Sequence, residues 1–197
     1  MRIEPAEGSV ADWILHADLH WWNLVTLGPP GYPAYGRLRF IPDPTYPYQP
    51  ESSVSLPADH LNEDHQLALA LRTLAGHTDT PVQCYLLVWD GWGDDAWTRK
   101  HAESLTKVSL PTGEREYHLG RAPLTELITE LSPEHVKEAT PLPGFVWPAD
   151  RSWCLTSDVD PHWAGIAASD RALQALVETP DLDVVWTHPE AEHLFYV

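Results

Sequence analysis

The residue types best suited to chemistry are Asp158, Asp160 and His162, which alternate at a spacing of two. In an extended backbone, alternate side chains project from the same face. Two carboxylates and an imidazole on one face could ligate a divalent metal, or divide the roles of acid and base. The alternative is a strand end at which the aspartates form turns ahead of Pro161. The pattern leaves both interpretations open.

Two other segments have histidines at ligand-like spacing. His60 and Asp64 fall one helical turn apart, as do His16 and His20. His60 or Asp64 would complete a metal site whose other ligands are Asp158, Asp160 and His162. Acidic residues at the start of a helix also complement its dipole without any function. His16 and His20 suit packing at a helix end, because no partner carboxylate accompanies them.

Aromatic residues are concentrated in two segments, WDGWGDDAW at 89–97 and FVWPADRSWCLTSDVDPHWAGI at 145–166. Tryptophan dominates binding hot spots, and carboxylates beside indoles suit a basic protein surface or a caged cation. The alternative is that Trp89 belongs to a strand core and that its neighbours only cover a loop. The binding residues that this pattern predicts are Trp92, Trp97, Arg151 and Trp163.

The chain of 197 residues carries a net charge of −17 and has only three lysines. A protein that tracks nucleic-acid phosphates needs clustered Lys and Arg, so nucleic acid is not an expected partner. The same charge repels anionic membranes, and no apolar run approaches the length of a membrane span. The charge is compatible with a basic protein partner, with a divalent metal or with solubility alone. It does not indicate an oligomeric state.

Sequence motifs for other chemistry are missing. The chain has no GxSxG nucleophile motif and no glycine-rich phosphate loop. Cys84 and Cys154 lie in apolar, strand-like runs, which indicates two buried thiols. The beginning of the chain has no apolar segment typical of a secretory signal, so a cytoplasmic location is expected.

The elements that would position these residues follow from apolar spacing and turn residues. The spacing predicts helices over 60–76, 123–131 and 169–178, and a central strand over 82–89. A Pro-Thr-Gly turn predicts a hairpin of 107–110 with 114–119. Further strands are expected over 23–27, 35–41 (as an edge or half-buried strand), 153–158, 163–167 and 182–186. Together these elements predict one α+β domain spanning 1–197, with a mainly antiparallel sheet, two or three packed helices and long proline-rich loops.

Several tracts resemble a family of uncharacterised actinomycete proteins of about this length. The tracts are FVWPADRSWC at 145–154, DVDPHWAGI at 158–166 and CYLLVWDGWG at 84–93. This resemblance implies a cytosolic bacterial protein and supplies no site residues. The strand end rich in Trp and Gly is also similar to immunity proteins of the SUKH type, which bind and neutralise toxin domains.

The sequence therefore predicts an acidic binding protein, of immunity or antitoxin type, that engages a protein partner through an acidic aromatic surface and needs no cofactor. The alternative is a small metal-dependent hydrolase that uses the Asp158–His162 cluster with a divalent metal. A third interpretation is an aromatic-lined pocket for a small ligand. Whether the protein is an enzyme stays open at this point.

Overall fold

Nine β-strands form one sheet in the computed structural model, which describes residues 2–92, 100–111, 113–132 and 142–197. The strands are β1 (Glu4–Pro5), β2 (Ala34–Arg39), β3 (Cys84–Trp89), β4 (Thr106–Ser109), β5 (Glu116–Ala122), β6 (Phe145–Pro148), β7 (Cys154–Thr156), β8 (Trp163–Ala168) and β9 (Val184–Thr187). They run in the order β1-β5-β3-β6-β7-β8-β2-β9, and β4 pairs with β5 as well. Every pairing between described strands is antiparallel. The predicted α+β fold with a mainly antiparallel sheet is confirmed.

Five α-helices occur within the described ranges, which is more than the two or three that the sequence predicts. They are α1 (Asp12–Leu15), α2 (Trp21–Leu27), α3 (Glu63–Leu74), α4 (Leu124–Glu130) and α5 (Asp170–Val177). Helices α3, α4 and α5 pack on one face of the sheet, and α1 and α2 pack on the other. The molecule therefore has three layers, with an apolar cluster on each side of the sheet.

The two clusters follow from the two-residue period of the strands. In β3, Leu86 belongs to the cluster beneath α3, whereas its neighbour Leu87 belongs to the cluster beneath α1 and α2. Because both side chains are fully buried, this strand reads as a continuous apolar run. Its predicted central position is confirmed, since it lies between β5 and β6.

The strongly patterned elements form where the sequence predicts them. Helix α3 begins after Asn62, whose side chain accepts the His65 amide, and α5 begins after Ser169, whose hydroxyl accepts the Ala172 amide. Strands β4 and β5 pair as the predicted hairpin, with Thr106 opposite Leu119.

The predicted strand over 23–27 is wrong, because these residues form most of α2. The helix begins after His20, whose imidazole Nδ1 accepts the Trp22 amide at 3.3 Å. It lies very close to β8: a Cβ on Gly165 would come within 2.4 Å of the Thr26 carbonyl oxygen. The apolar run suited a strand or a helix equally well, and packing against a glycine in the sheet selects the helix.

Two strands are more central than the sequence predicts. Strand β2 pairs with both β8 and β9, so the expected edge strand is interior and mostly buried. Strand β6 lies between β3 and β7, where the sequence predicts only a connection. Its residues, FVWP, end in proline, and Pro148 occupies the last position of the strand, where a missing donor is tolerated.

Within the described ranges, no helix combines the length and the apolar character that crossing a lipid bilayer requires.

Candidate functional site

Arg115, one residue before β5, joins three separate parts of the chain. Its Nε donates to Asp158 Oδ2 at 3.1 Å, and its Nη2 donates to Asp158 Oδ1 at 2.9 Å. The same Nη2 lies 3.3 Å from a carboxylate oxygen of Asp160. The guanidinium carbon lies 5.0 Å from the centre of the Trp89 ring and 5.3 Å from that of Trp21. Arg115 thus holds together the end of β3, the start of α2 and the loop after β7.

The Arg115–Asp158 pair is almost removed from solvent, with side-chain exposures of 13% and 7%. The hydrogen bond to Asp158 raises the pKa of Arg115 above its ordinary value. A planar guanidinium fits a carboxylate at two points and also stacks on indole rings, which an ammonium cannot do. Loss of one member of such a pair leaves a buried, uncompensated charge, at a cost of about 3–5 kcal/mol.

Exposed groups surround this buried pair. The side chain of Asp160 is 59% exposed, and Val159 is 44% exposed. Trp21 and Trp89 are half-buried, so part of each residue remains accessible. We refer to Trp21, Trp89, Arg115 and the loop Asp158–Asp160 together as the Arg115 face.

A cleft of about 640 Å³ lies beside the Arg115 face, between the turn joining α1 to α2 and the β4–β5 hairpin. Its walls include His16, Asp18, His20, Trp21 and Glu114. Neither carboxylate forms an ion pair with a described residue, and Glu114 Oε2 is buried without a hydrogen-bond partner among them. His20 Nδ1 accepts a backbone amide, so the neutral ring carries its proton on Nε2. An unpaired carboxylate beside an indole favours a cationic group.

The residues predicted as metal ligands belong to two different networks. Asp158 and Asp160 share Arg115, whereas His162 Nε2 lies 3.0 Å from Asp43 Oδ1. Residues 159–162 form bends between β7 and β8, so the extended geometry that would align the three side chains is not present. Among the described residues, no group of three His, Cys, Asp or Glu side chains is placed to hold a metal ion. This arrangement gives the metal interpretation no support.

The His162 network contains the most densely bonded carboxylate in the described structure. Asp43 accepts two hydrogen bonds from Arg37, one from Arg39 and one from His162, at 2.7 to 3.0 Å. Burial alone would raise the pKa of Asp43, but the bonds from His162, Arg37 and Arg39 outweigh it and hold the pKa well below the ordinary range. Because a carboxylate cannot donate, His162 Nε2 carries the proton of that bond.

The two predicted binding residues whose side chains the structure describes, Arg151 and Trp163, lie away from the Arg115 face. Trp163 is only 1% exposed and donates its Nε1 hydrogen to the Thr26 carbonyl, so it is a core residue and not the surface anchor we expected. Arg151 lies at the turn joining β6 to β7, at the other end of that hairpin from Asp158, with its guanidinium 5.0 Å from the Trp13 ring. Trp97 and the side chain of Trp92 lie outside the described residues.

His60 and Asp64 do not form a ligand pair within the described structure. Nε2 of His60 forms a hydrogen bond with the Phe40 carbonyl, so this nitrogen stabilises the loop joining β2 to α3. Burial raises the pKa of Asp64, and burial together with Asp64 and Glu51 raises that of Glu63. These residues begin α3, where their charges complement the helix dipole.

Both cysteines are buried free thiols, as predicted. Burial raises the pKa of Cys84 to about 12, with a contribution from Asp150, and burial also raises the pKa of Cys154. Neither thiol therefore has the lowered pKa that a catalytic thiolate requires.

The sequence analysis missed Arg115 in the first network, and Asp43 with Arg37 and Arg39 in the second. A usable signal existed, because only 12 of the residues are Lys or Arg against 29 Asp and Glu. In such a chain each arginine that interrupts a strand-like segment is expected to pair with a carboxylate. Arg37 and Arg39 find Asp43 within six positions, but the partner of Arg115 lies 43 positions away, so its identity depends on the tertiary fold.

No family model, curated protein or solved structure matches this chain. The resemblance to actinomycete proteins and the likeness to SUKH-type immunity proteins therefore stay predictions.

Proposed function

We propose that this chain is a binding protein of the immunity or antitoxin type, which engages a basic protein partner through the Arg115 face and its cleft. The observation that carries this proposal is the position of Arg115. It brings the Trp89 strand end and the Asp158–Asp160 loop together, and these are two of the segments that the sequence singles out for binding. The face therefore combines indoles, an exposed valine and carboxylates within one patch.

Charge complementarity supports a basic partner. The chain has a net charge of −17, and the cleft beside the face holds Asp18 and Glu114, which pair with no described cation. Only one carboxylate of the face, Asp158, is fully neutralised by Arg115, and the exposed Asp160 shares that arginine at 3.3 Å. A Lys or Arg side chain of a partner can therefore gain an ion pair there. Its aliphatic stem would lie against the Trp21 ring.

Burial determines whether a group of the Arg115 face contributes to the rate of association or to the affinity. Exposed charges such as Asp160 accelerate and orient association, whereas desolvated aromatic and aliphatic groups supply most of the affinity. The buried Arg115–Asp158 pair fixes the geometry of both groups before the partner arrives. This preorganisation lowers the entropy lost on binding.

The proposal is tested by affinity capture from native lysate at low and moderate salt, with the wild type beside two charge reversals. Asp160→Lys places a cation on the face and should weaken capture of the specific partner about tenfold. This loss corresponds to roughly 1.4 kcal/mol, which is less than for like charges opposed in a buried interface because solvent screens the exposed position 160. The amount of captured protein is measured over a titration of bait.

Glu178→Lys is the matched control, because it makes the same charge change at an exposed position next to α5, on the opposite side of the sheet. Its capture should equal that of the wild type. If both reversals weaken capture equally, net charge and not the Arg115 face governs binding, and the proposal is wrong. Capture unaffected by Asp160→Lys would also contradict it.

A further inference from the structure

The last ten residues, 188–197, lie as a strap across the sheet beside α2, over β8 and the Asp43 network. The strap contains neither helix nor strand. Asn23 Nδ2 donates to the Pro189 carbonyl at 2.8 Å. The Phe195 ring lies between Trp22 and Trp163, and the Tyr196 ring lies against His162. The Val197 amide donates to the Gln49 carbonyl, and the Val197 carbonyl accepts from the Glu51 amide. A segment held by so few backbone hydrogen bonds opens at a lower free energy than the sheet beneath it.

His193 connects the strap to the sheet. Its Nε2 lies 2.9 Å from Thr187 Oγ1, and its ring meets the Trp163 indole edge-on at 5.4 Å between centres. The Arg37 guanidinium lies 4.8 Å from the centre of the same indole. The Arg37 guanidinium already places one positive charge beside the Trp163 ring. A proton on His193 would therefore add a second.

Asp43, the carboxylate that would attract a protonated His193, has no free acceptor site for a hydrogen bond from it. Asp43 has two oxygens with about four acceptor positions, and the bonds from Arg37, Arg39 and His162 already number four. A protonated His193 would gain attraction from Asp43 at a distance but no hydrogen bond to it. The cation thus enters a half-buried position beside Arg37, with the neutral Thr187 hydroxyl and no carboxylate as its hydrogen-bond partner.

The other titratable groups near the strap do not reverse this balance. From β2 come Arg37 and Arg39, and from the loop after it come Asp43 and Glu51. The turn before β8 contributes His162, and the strap itself carries the exposed residues His188, Glu190 and Glu192. It also carries Tyr196, which stays neutral at neutral and mildly acidic pH because burial, Asp43 and Glu51 raise its pKa. Helix α2 contributes Trp22 and Asn23, which do not titrate. Burial first, and then Arg37 and His162, lower the pKa of His193 against the opposing attraction of Asp43.

We propose that the strap is a pH-sensitive cover, held closed by neutral His193 and released when that imidazole takes up a proton. The folded, closed state binds fewer protons at His193 than the open state does. The stability of the closed strap is therefore complete above the ordinary histidine pKa of about 6.5, and it falls as the pH drops below that value. Release uncovers the Trp22 and Trp163 rings and the Arg37 guanidinium.

Backbone order parameters from ¹⁵N relaxation test this directly, measured at pH 7.5 and pH 5.5. In the wild type, the order parameters of residues 190–197 should fall from about 0.85 to below about 0.6, while those of β3 stay rigid. Phe195→Ala removes the ring held between two indoles, and it gives the open reference, mobile at both pH values.

His193→Gln removes the titration and retains a side chain that can bond Thr187, so its strap should show no difference between the two pH values. His188→Gln is the matched control in the same segment, and it should respond like the wild type. A strap that stays rigid at pH 5.5 in the wild type overturns the proposal. A response that persists unchanged in His193→Gln overturns it as well.

Discussion

At the scale of single residues, Arg37 and Arg115 each hold a carboxylate in place through two hydrogen bonds and lie on indole rings. Arg115 lies between two indoles and binds Asp158 at two points, and Arg37 stacks on Trp163 while binding Asp43 at two points. Arg115 satisfies a carboxylate that the fold has almost removed from water, since the Asp158 side chain is 7% exposed, whereas the Asp43 side chain keeps 32% of its surface exposed. Such pairs specify geometry more than they add stability, because desolvation offsets much of their attraction.

The buried and exposed partners of Arg115 predict unequal consequences. Arg115→Leu leaves Asp158 buried without its counter-ion and should lower the free energy of unfolding by about 3 kcal/mol. Asp160→Asn removes only the exposed partner and should change it by less than about 1 kcal/mol. Urea denaturation of both variants measures the difference. Equal destabilisation would show that Asp158 is not held by Arg115 in the way described.

At the scale of elements, predictability depends on whether local pattern or distant packing decides the conformation. Helix α3 and strand β3 follow from their own apolar spacing, and the β4–β5 hairpin follows from its turn. Helix α2 and strand β6 do not, because an apolar run of this length suits either conformation and the choice depends on partners far along the chain. The same holds for the candidate site. Its aromatic and acidic segments are visible as local sequence patterns, but the role of Arg115, which connects them, depends on distant packing.

Because α2 lies so close to β8, a larger residue at position 165 should displace α2, the helix that contains Trp21. In Gly165→Ala the added methyl group meets the Thr26 carbonyl at 2.4 Å and the Leu27 Cα at 2.7 Å, so the helix must move. Overpacking of this kind should cost about 1–3 kcal/mol of unfolding free energy, with a changed near-ultraviolet circular dichroism from the tryptophans.

Gly76→Ala is the control for this substitution, because nothing lies within 4 Å of its Cβ and its backbone is not in the left-handed region. It should leave the unfolding free energy within about 0.5 kcal/mol of the wild type. If Gly165→Ala is tolerated equally well, α2 does not depend on its close approach to β8.

At the scale of the whole molecule, the tryptophans divide between core and surface. Trp147, Trp153 and Trp163 are buried in the sheet layers, which corrects the expectation that Trp163 faces a partner. Trp21 and Trp89 are half-buried beside the acidic cleft, and Trp186 on the edge strand β9 is 48% exposed. The composition predicted an acidic, tryptophan-rich protein, but the burial of each ring depends on the sheet order. The Arg115 face and the edge strand both present indole rings to solvent in the described part of the chain, and an experiment must distinguish between them.

Site-specific photo-cross-linking tests the central claim most directly. A benzophenone amino acid is placed at Val159 on the Arg115 face, and in a second variant at Trp186 on β9, both exposed apolar positions. Position 159 should cross-link the captured partner through a segment rich in Lys and Arg, and position 186 should not. Cross-linking at 186 with none at 159 would contradict the assignment of the Arg115 face as the binding surface.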